Sequence, residues 1–161
     1  ALISLMGEGA DNIIIDLRDN PGGLLSSSLD ILDLILPKDV ELVSTKGRKG
    51  RNLKNYKSLN SAFLPNSVDI AVLINGGSAS ASEIVAGALQ DYRRAIIAGQ
   101  RTFGTGSVQS VIPLSNDAGL KLTVARYYTP SGRSIQAKGI EPDVPLDYVD
   151  EKTLKNIQII Y

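Results

Sequence analysis

Apolar residues fall along the chain in short blocks that alternate between two periods. Asn12-Ile-Ile-Ile-Asp-Leu17, Val68-Asp-Ile-Ala-Val-Leu-Ile74 and Arg94-Ala-Ile-Ile-Ala98 are brief, rich in β-branched residues and bounded by turn formers. Such runs predict strands buried in a sheet. Between them, Leu25, Leu29, Leu32 and Ile35, and then Ala81, Ile84, Val85, Ala88 and Leu89, recur at helical spacing. They predict a helix from Leu24 to Leu36 and another opening at Ser80, each with one apolar face for packing on a sheet. Residues 1–9 read as the end of a helix and Val40 to Ser44 as a strand. Ser107 to Leu114 and Leu120 to Tyr128 predict a hairpin across Ser115-Asn-Asp-Ala-Gly119. Thr129 to Ser134 reads as a turn, and Ile140 to Pro145 as extended chain, because each proline turns its predecessor away from helix. A short terminal helix is expected from Asp150. Strands alternating with helices imply an α/β domain, its largely parallel or mixed sheet covered by helices.

Composition narrows the chemistry more by what is missing. The 161 residues, 43% of them hydrophobic, suffice for one core. Seventeen basic residues balance 17 acidic ones, which argues against a nucleic-acid or anionic-membrane partner, and no apolar run is long enough to cross a bilayer. There is no cysteine and no histidine. Disulfides, thiol nucleophiles, Cys/His zinc sites and every Ser-His-Asp arrangement are therefore excluded, and no metal or cofactor is expected. Any activated serine must find its base in a lysine, a carboxylate or a group from outside the chain. Lys46, Arg48, Lys49, Arg51, Lys54 and Lys57 form a stretch free of acidic residues. It could bind an acidic ligand or lie against a membrane, but it lacks a helical period and reads better as a solvated, mobile loop.

Three connections carry candidate chemistry. After the strand ending at Ile74, Gly76-Gly77 supply a tight turn into a helix whose first turn holds Ser80 among the small residues Ser78, Ala79, Ala81 and Ser82. Small neighbours leave room for a bulky substrate at an exposed hydroxyl. The same residues spell an ordinary capping box, Ser80-Ala-Ser-Glu83, and by themselves they leave both readings open. Asn20-Pro-Gly-Gly23 has glycines able to aim backbone N–H groups into a cleft, or it is a plain turn capped by Asp19 or Asn20. Gly99 to Gly106 is glycine-rich, but no lysine followed by Ser or Thr opens a helix there, which argues against a phosphate loop.

Together Asp16-Leu-Arg-Asp-Asn-Pro-Gly-Gly23, Gly77-Ser-Ala-Ser-Ala-Ser-Glu-Ile84, Thr102-Phe-Gly-Thr-Gly-Ser-Val-Gln109 and Tyr127-Tyr-Thr-Pro-Ser-Gly-Arg-Ser-Ile-Gln136 with Lys138-Gly-Ile-Glu-Pro-Asp143 resemble the carboxyl-terminal processing, or tail-specific, proteases. The likeness runs over residues 1–148, with 149–161 a C-terminal extension. It implies a crotonase-like α/β fold and a Ser-Lys dyad that cleaves polypeptides near their C-termini through an acyl-enzyme. It places the nucleophile at Ser80, a glutamine that orients the base at Gln109, and oxyanion-hole N–H groups at Ala81 and at Gly22 or Gly23. The family's Phe-Gly-Lys-Gly reads Phe103-Gly-Thr-Gly106 here, so the base position holds Thr105. A threonine hydroxyl is no useful base near neutral pH, and the chain is expected to be an inactive or severely weakened protease. Lys121 and Lys138 are the other lysines considered as a base.

The resemblance further implies an upstream PDZ domain and an additional core strand that these residues do not supply. It also implies an extracytoplasmic, for example periplasmic, location, and it leaves a homo-oligomer open. A non-catalytic peptide-binding module is the alternative. An acyl-CoA enzyme on a similar fold is a third reading that the serine turn does not favour.

Overall fold

The computed structural model describes residues 2–115 and 118–147. Helix α1 (Leu2–Gly7) leads into β1 (Asn12–Asp16), α2 (Leu25–Ile35), β2 (Glu41–Lys46), β3 (Asn52–Lys57), β4 (Asp69–Ile74) and α3 (Ala81–Asp91). After these come β5 (Ile96–Gly99), β6 (Ser107–Pro113), β7 (Gly119–Tyr128) and β8 (Val144–Pro145). The strands make two sheets, where sequence periodicity suggested one. The first is parallel, in the order β1-β4-β5-β8, and the second antiparallel, in the order β3-β2-β7-β6. The short β8 that completes the parallel sheet is part of the stretch expected only to be extended.

Helix α3 is the centre of the molecule. Every residue from Ala81 to Leu89 is buried, not one face alone, because α3 packs on α2 and meets strands of both sheets, β2 and β5. Its Ala-Gly-Ala content follows from that enclosure. A Cβ on Gly87 would lie 2.8 Å from Thr129 Cγ2 and 2.9 Å from Ile140 Cδ1, so a larger residue would have to push these two side-chain ends away from the helix. Leu32, Ile35 and Leu36 around the end of α2, Ile84, Val85 and Leu89 of α3, Val72, Ile74 and Ile97 of the parallel sheet, and Leu42 and Val43 of β2 form one continuous core. Burying each such side chain is worth about 1.5–3 kcal/mol, which makes this contact the main stabilising term.

Two expectations fail. The triple isoleucine of β1 reads as a strand buried on both faces, yet Ile14 is 70% exposed and its counterpart Ile96 on β5 58% exposed. The helices cover only one face of the parallel sheet among the described residues. The cationic stretch Lys46 to Lys57 is not a mobile loop. It folds as β3, antiparallel to β2 and closed by a turn at Arg48–Gly50. As an outer strand, β3 carries Lys54 and Lys57 where lysines deter edge-to-edge pairing. The helix expected from Asp150, and with it the extension 149–161, lies outside the described residues.

The Thr129–Ser134 turn is pinned to the C-terminus of α3. Asp91, only 7% exposed in its side chain, pairs with Arg133 and accepts from the Ser131 amide at 2.8 Å. Burial pushes the Asp91 carboxyl upward, but hydrogen bonds from Thr129 and Ser131 and the charge of Arg133 outweigh it and hold the group below its ordinary value. A depressed carboxyl stabilises fully above its unfolded pKa of about 3.9 and loses that contribution as pH falls through the folded value. Asp91→Asn is therefore expected to cost about 2 kcal/mol at neutral pH. The deficit should shrink progressively below about pH 4, as read from urea unfolding across pH.

Candidate active site

At the carboxyl end of β4 the chain reverses sharply into α3. Asn75 Oδ1 accepts the amides of Gly77 and Asp19, both at 2.9 Å. The Ser78 hydroxyl donates to the Leu17 carbonyl at 2.7 Å and accepts the Asn75 amide at 3.0 Å. Ser82 donates to the Asn20 carbonyl at 3.1 Å. The outer two of the three serines are thus buried and committed, tying the β4–α3 turn to the chain that leaves β1. Ser80 differs: it is half-buried, and its hydroxyl donates no hydrogen bond among the described residues. Its backbone lies at φ 54°, ψ −112°, a conformation that costs a non-glycine residue about 1–3 kcal/mol and survives only where the surroundings enforce it.

The enforcing group is Glu83, fully buried in the first turn of α3. Its Oε2 accepts the Ser80 and Thr105 amides, both at 2.8 Å, and its Oε1 accepts the Gly104 amide at 2.7 Å and the Thr102 hydroxyl at 2.5 Å. All four partners are donors, the complement that an acceptor-only carboxylate needs when removed from water. Ser80 and Glu83 form a capping box, with the Ser80 side chain facing the Glu83 amide and the Glu83 carboxylate accepting the Ser80 amide. The Glu83 amide is satisfied by the Ser80 carbonyl at 3.0 Å. The box reading holds, and beyond it the carboxylate serves the β5–β6 loop as much as the helix end. The signal available in sequence was a lone charge, Glu83, in the otherwise uncharged run Ile70 to Gln90.

The Asn20-Pro-Gly-Gly turn completes the site. The Asn20 carbonyl accepts the Ala79 amide at 3.0 Å, and its side chain accepts the Gly22 amide at 2.9 Å. Neither Asp19 nor Asn20 caps α2, whose N-cap is Leu24 without a side-chain bond. A Cβ on Gly22 would sit 2.6 Å from the Ala79 carbonyl oxygen and 2.8 Å from the Ala81 nitrogen, with φ at +95°. Only glycine allows this approach to the Ser80 turn. The Gly22 amide is engaged, whereas the Gly23 and Ala81 amides have no acceptor among the described residues. Both line a 180 Å³ cavity whose apolar wall includes Leu17, Leu24, Ile31 and Val85.

Thr105 is half-buried, its amide beside that of Ser80 on one carboxylate oxygen, and its hydroxyl has no partner among the described residues. Gln109 is exposed on β6, and its amide group donates to Ser107 Oγ at 3.4 Å and Thr123 Oγ1 at 3.3 Å rather than to Thr105. Lys121 is paired with Val111, about 20 Å along the strand from Thr105 at some 3.3 Å per residue. That is too far for its amine to serve Ser80. Lys138 is exposed on the turn that pairs with Gly104 through the Ala137 amide, and no hydrogen bond or ion pair directs its amine to Ser80. No group of three or more side chains suited to a metal occurs among the described residues, nor does a helix long and apolar enough to cross a membrane.

The sequence profile of peptidase family S41 matches residues 1–146. A carboxy-terminal-processing protease of Bartonella bacilliformis is 54% identical over 134 residues, covering 83% of this chain and 30% of that protein. A carboxyl-terminal-processing protease of Synechocystis is 46% identical over 143 residues, 89% of this chain and 33% of that one. Among solved structures, the photosystem II D1 C-terminal processing protease superimposes with a TM-score of 0.85 at 38% identity, over 91% of this chain and 37% of its own. The chain spans about a third of the length of these relatives. Its α/β architecture of parallel and antiparallel sheets with helices is that of the S41 protease core.

Glu83→Gln turns an amide NH₂ toward two of the four donors and leaves them unpaired in the core. It is expected to lower the unfolding free energy by about 3 kcal/mol in urea denaturation. A cost within a few tenths of zero would mean that the carboxylate is not the tie described.

Proposed function

The chain belongs to peptidase family S41, the carboxyl-terminal processing proteases, and on that premise we propose that it is a serine endopeptidase core whose dyad is broken at Thr105. The observation that carries the reading is the division of labour among three serines: the Ser78 and Ser82 hydroxyls donate to backbone carbonyls, while Ser80, on a strained turn, donates to no acceptor among the described residues. In the intact reaction Ser80 Oγ attacks the scissile carbonyl carbon and its proton passes to a base at position 105. Collapse of the tetrahedral adduct breaks the C–N bond, and the base returns the proton to the departing amine. Water then hydrolyses the ester. The Ala81 and Gly23 amides receive the developing oxyanion, a stabilisation worth about 3 kcal/mol per donor.

A lysine at position 105, partly buried beside the Ser80 turn, can deprotonate near neutral pH and serve as that base; a threonine cannot. Gln109 positions the base in the family scheme. Here its amide rests on Ser107 and Thr123, with no amine at position 105 to orient. The free hydroxyl of Thr105 beside an otherwise complete site favours a second reading, a module that binds peptide without cleaving it. The substrates are proposed to be C-terminal segments of polypeptides, met outside the cytoplasm, with self-association a further proposal.

Hydrolysis of an unstructured fluorogenic peptide by the protein carrying this chain is expected to be negligible. Thr105→Lys should raise kcat/KM by roughly a thousandfold, the order that a positioned general base contributes, and Ser80→Ala should abolish that gain. Ser80-dependent turnover already fast with Thr105 in place would overturn the broken dyad. Peptide binding with no turnover after Thr105→Lys would establish the binding module instead.

A further inference from the structure

A second concave site lies on the antiparallel sheet, away from the Ser80 turn. Lys46 at the end of β2, Arg48 and Lys49 in the turn that follows, and Arg126 of β7 line a cavity of about 460 Å³ with no carboxylate among its described lining residues. In the β2–β7 pairing Lys46 stands directly opposite Arg126. Like charges facing each other across strands are destabilising, and none of these four cations enters an ion pair among the described residues. Lys46 is held in place by Tyr128, with its amine 4.5 Å from the ring centroid. Lys49 occupies left-handed backbone at φ 62°, a position where glycine or asparagine would be less strained. The deterrence of edge pairing that accounts for Lys54 and Lys57 on β3 does not account for cations gathered around a hollow from two separate parts of the chain.

The hollow also faces the candidate active site's own strand. Arg126 pairs with Ser107, two residues beyond Thr105. Thr123, on the cavity wall, accepts the Gln109 side chain, which also reaches Ser107. Ser107, Gln109, Thr123, Arg126 and Lys46 therefore share one face of the sheet. Arg126 lies about two residues of extended chain plus one strand spacing from position 105, within the span of a peptide lying across the site. We propose that this hollow is a subsite for carboxylate-bearing residues of the polypeptide bound at Ser80, so that the protein selects peptides with acidic side chains a few positions from the scissile bond. The proposal deepens the peptide-binding part of the functional reading and does not require turnover.

Fluorescence anisotropy on the protein carrying this chain tests it with two labelled peptides identical except for a run of glutamates in one and glutamines in the other. The acidic peptide is expected to bind about tenfold more tightly at about 50 mM salt and to lose most of that margin at about 300 mM. Lys46→Gln with Arg126→Gln should make the two peptides equivalent. Arg126→Glu, checked for an unaltered thermal unfolding, should turn the preference toward a lysine-bearing peptide. Equal affinities in the unmodified protein, or a preference that survives both substitutions, would overturn the subsite, as would failure of both peptides to bind. Anionic phosphatidylserine vesicles form a third arm. Binding to them through Lys46 and Arg126 with no discrimination between peptides would assign the hollow to a membrane surface and reject the proposal. Because hydrolysis is not read, failure here leaves the proposed chemistry of Ser80 untouched, and loss of that chemistry leaves this result standing.

Discussion

The Glu83 carboxylate holds two separately folded pieces of backbone in one place. An ion this deeply buried forfeits several kcal/mol of hydration, and it is retained in a stable fold only because four donors replace the lost water. Those donors come from the β4–α3 turn and from the loop between β5 and β6, which lie far apart in sequence. One side chain therefore fixes where Ser80 stands relative to position 105. Thr102 extends the tie, because the hydroxyl that donates to Glu83 also accepts the Ile140 amide at 2.7 Å. The segment leading to β8 is thereby drawn into the same unit.

That unit sits where it does because α3 is buried throughout its first nine residues. Small side chains let the helix lie between α2 and both sheets, and Gly87 lets the chain after β7 press against it. The parallel strands β1, β4 and β5 all end on one side, so their outgoing loops converge there. Gly22 closes against the Ser80 turn at backbone distance, and the resulting packing is what sustains φ 54° at a serine. The proposed nucleophile's hydroxyl proton is left without an acceptor among the described residues while its serine neighbours are spent on structure. The Gly23 and Ala81 amides, proposed as oxyanion donors, likewise have no acceptor among the described residues, whereas the turn uses the Gly22 amide internally.

Much of the layout was legible from periodicity. The helical stripe Leu25, Leu29, Leu32, Ile35 and the β-branched runs ending at Asp16 and Ile74 located α2, β1 and β4, and the four motifs gave the family and the α/β core. Pairing was less legible, because period-2 patterns state which residues alternate but not which strand lies alongside. Thus β2 and β3 joined the second sheet, and Pro145 joined the first as part of a two-residue strand. Ile14 misled because isoleucine in a strand reports β preference as well as burial. Lys46 to Lys57 misled because charge hid an outer strand whose exposed side tolerates lysine. At the site, the family motif pointed to Ser80, but the hydroxyl partners that commit Ser78 and Ser82 lie some sixty residues away and were not legible locally. Glu83 looked like half of a local capping box because its donors on the β5–β6 loop are invisible at short range.

Native-state amide hydrogen exchange of this chain, followed by NMR, addresses the coupling most directly. If one carboxylate oxygen holds Ser80 and Thr105 together, the Ser80, Gly104 and Thr105 amides should open in one step, with protection close to that of the α3 core amides. Fast exchange at Gly104 and Thr105 while Ser80 and α3 stay protected would contradict it, because the loop that carries position 105 would then move independently of the serine turn.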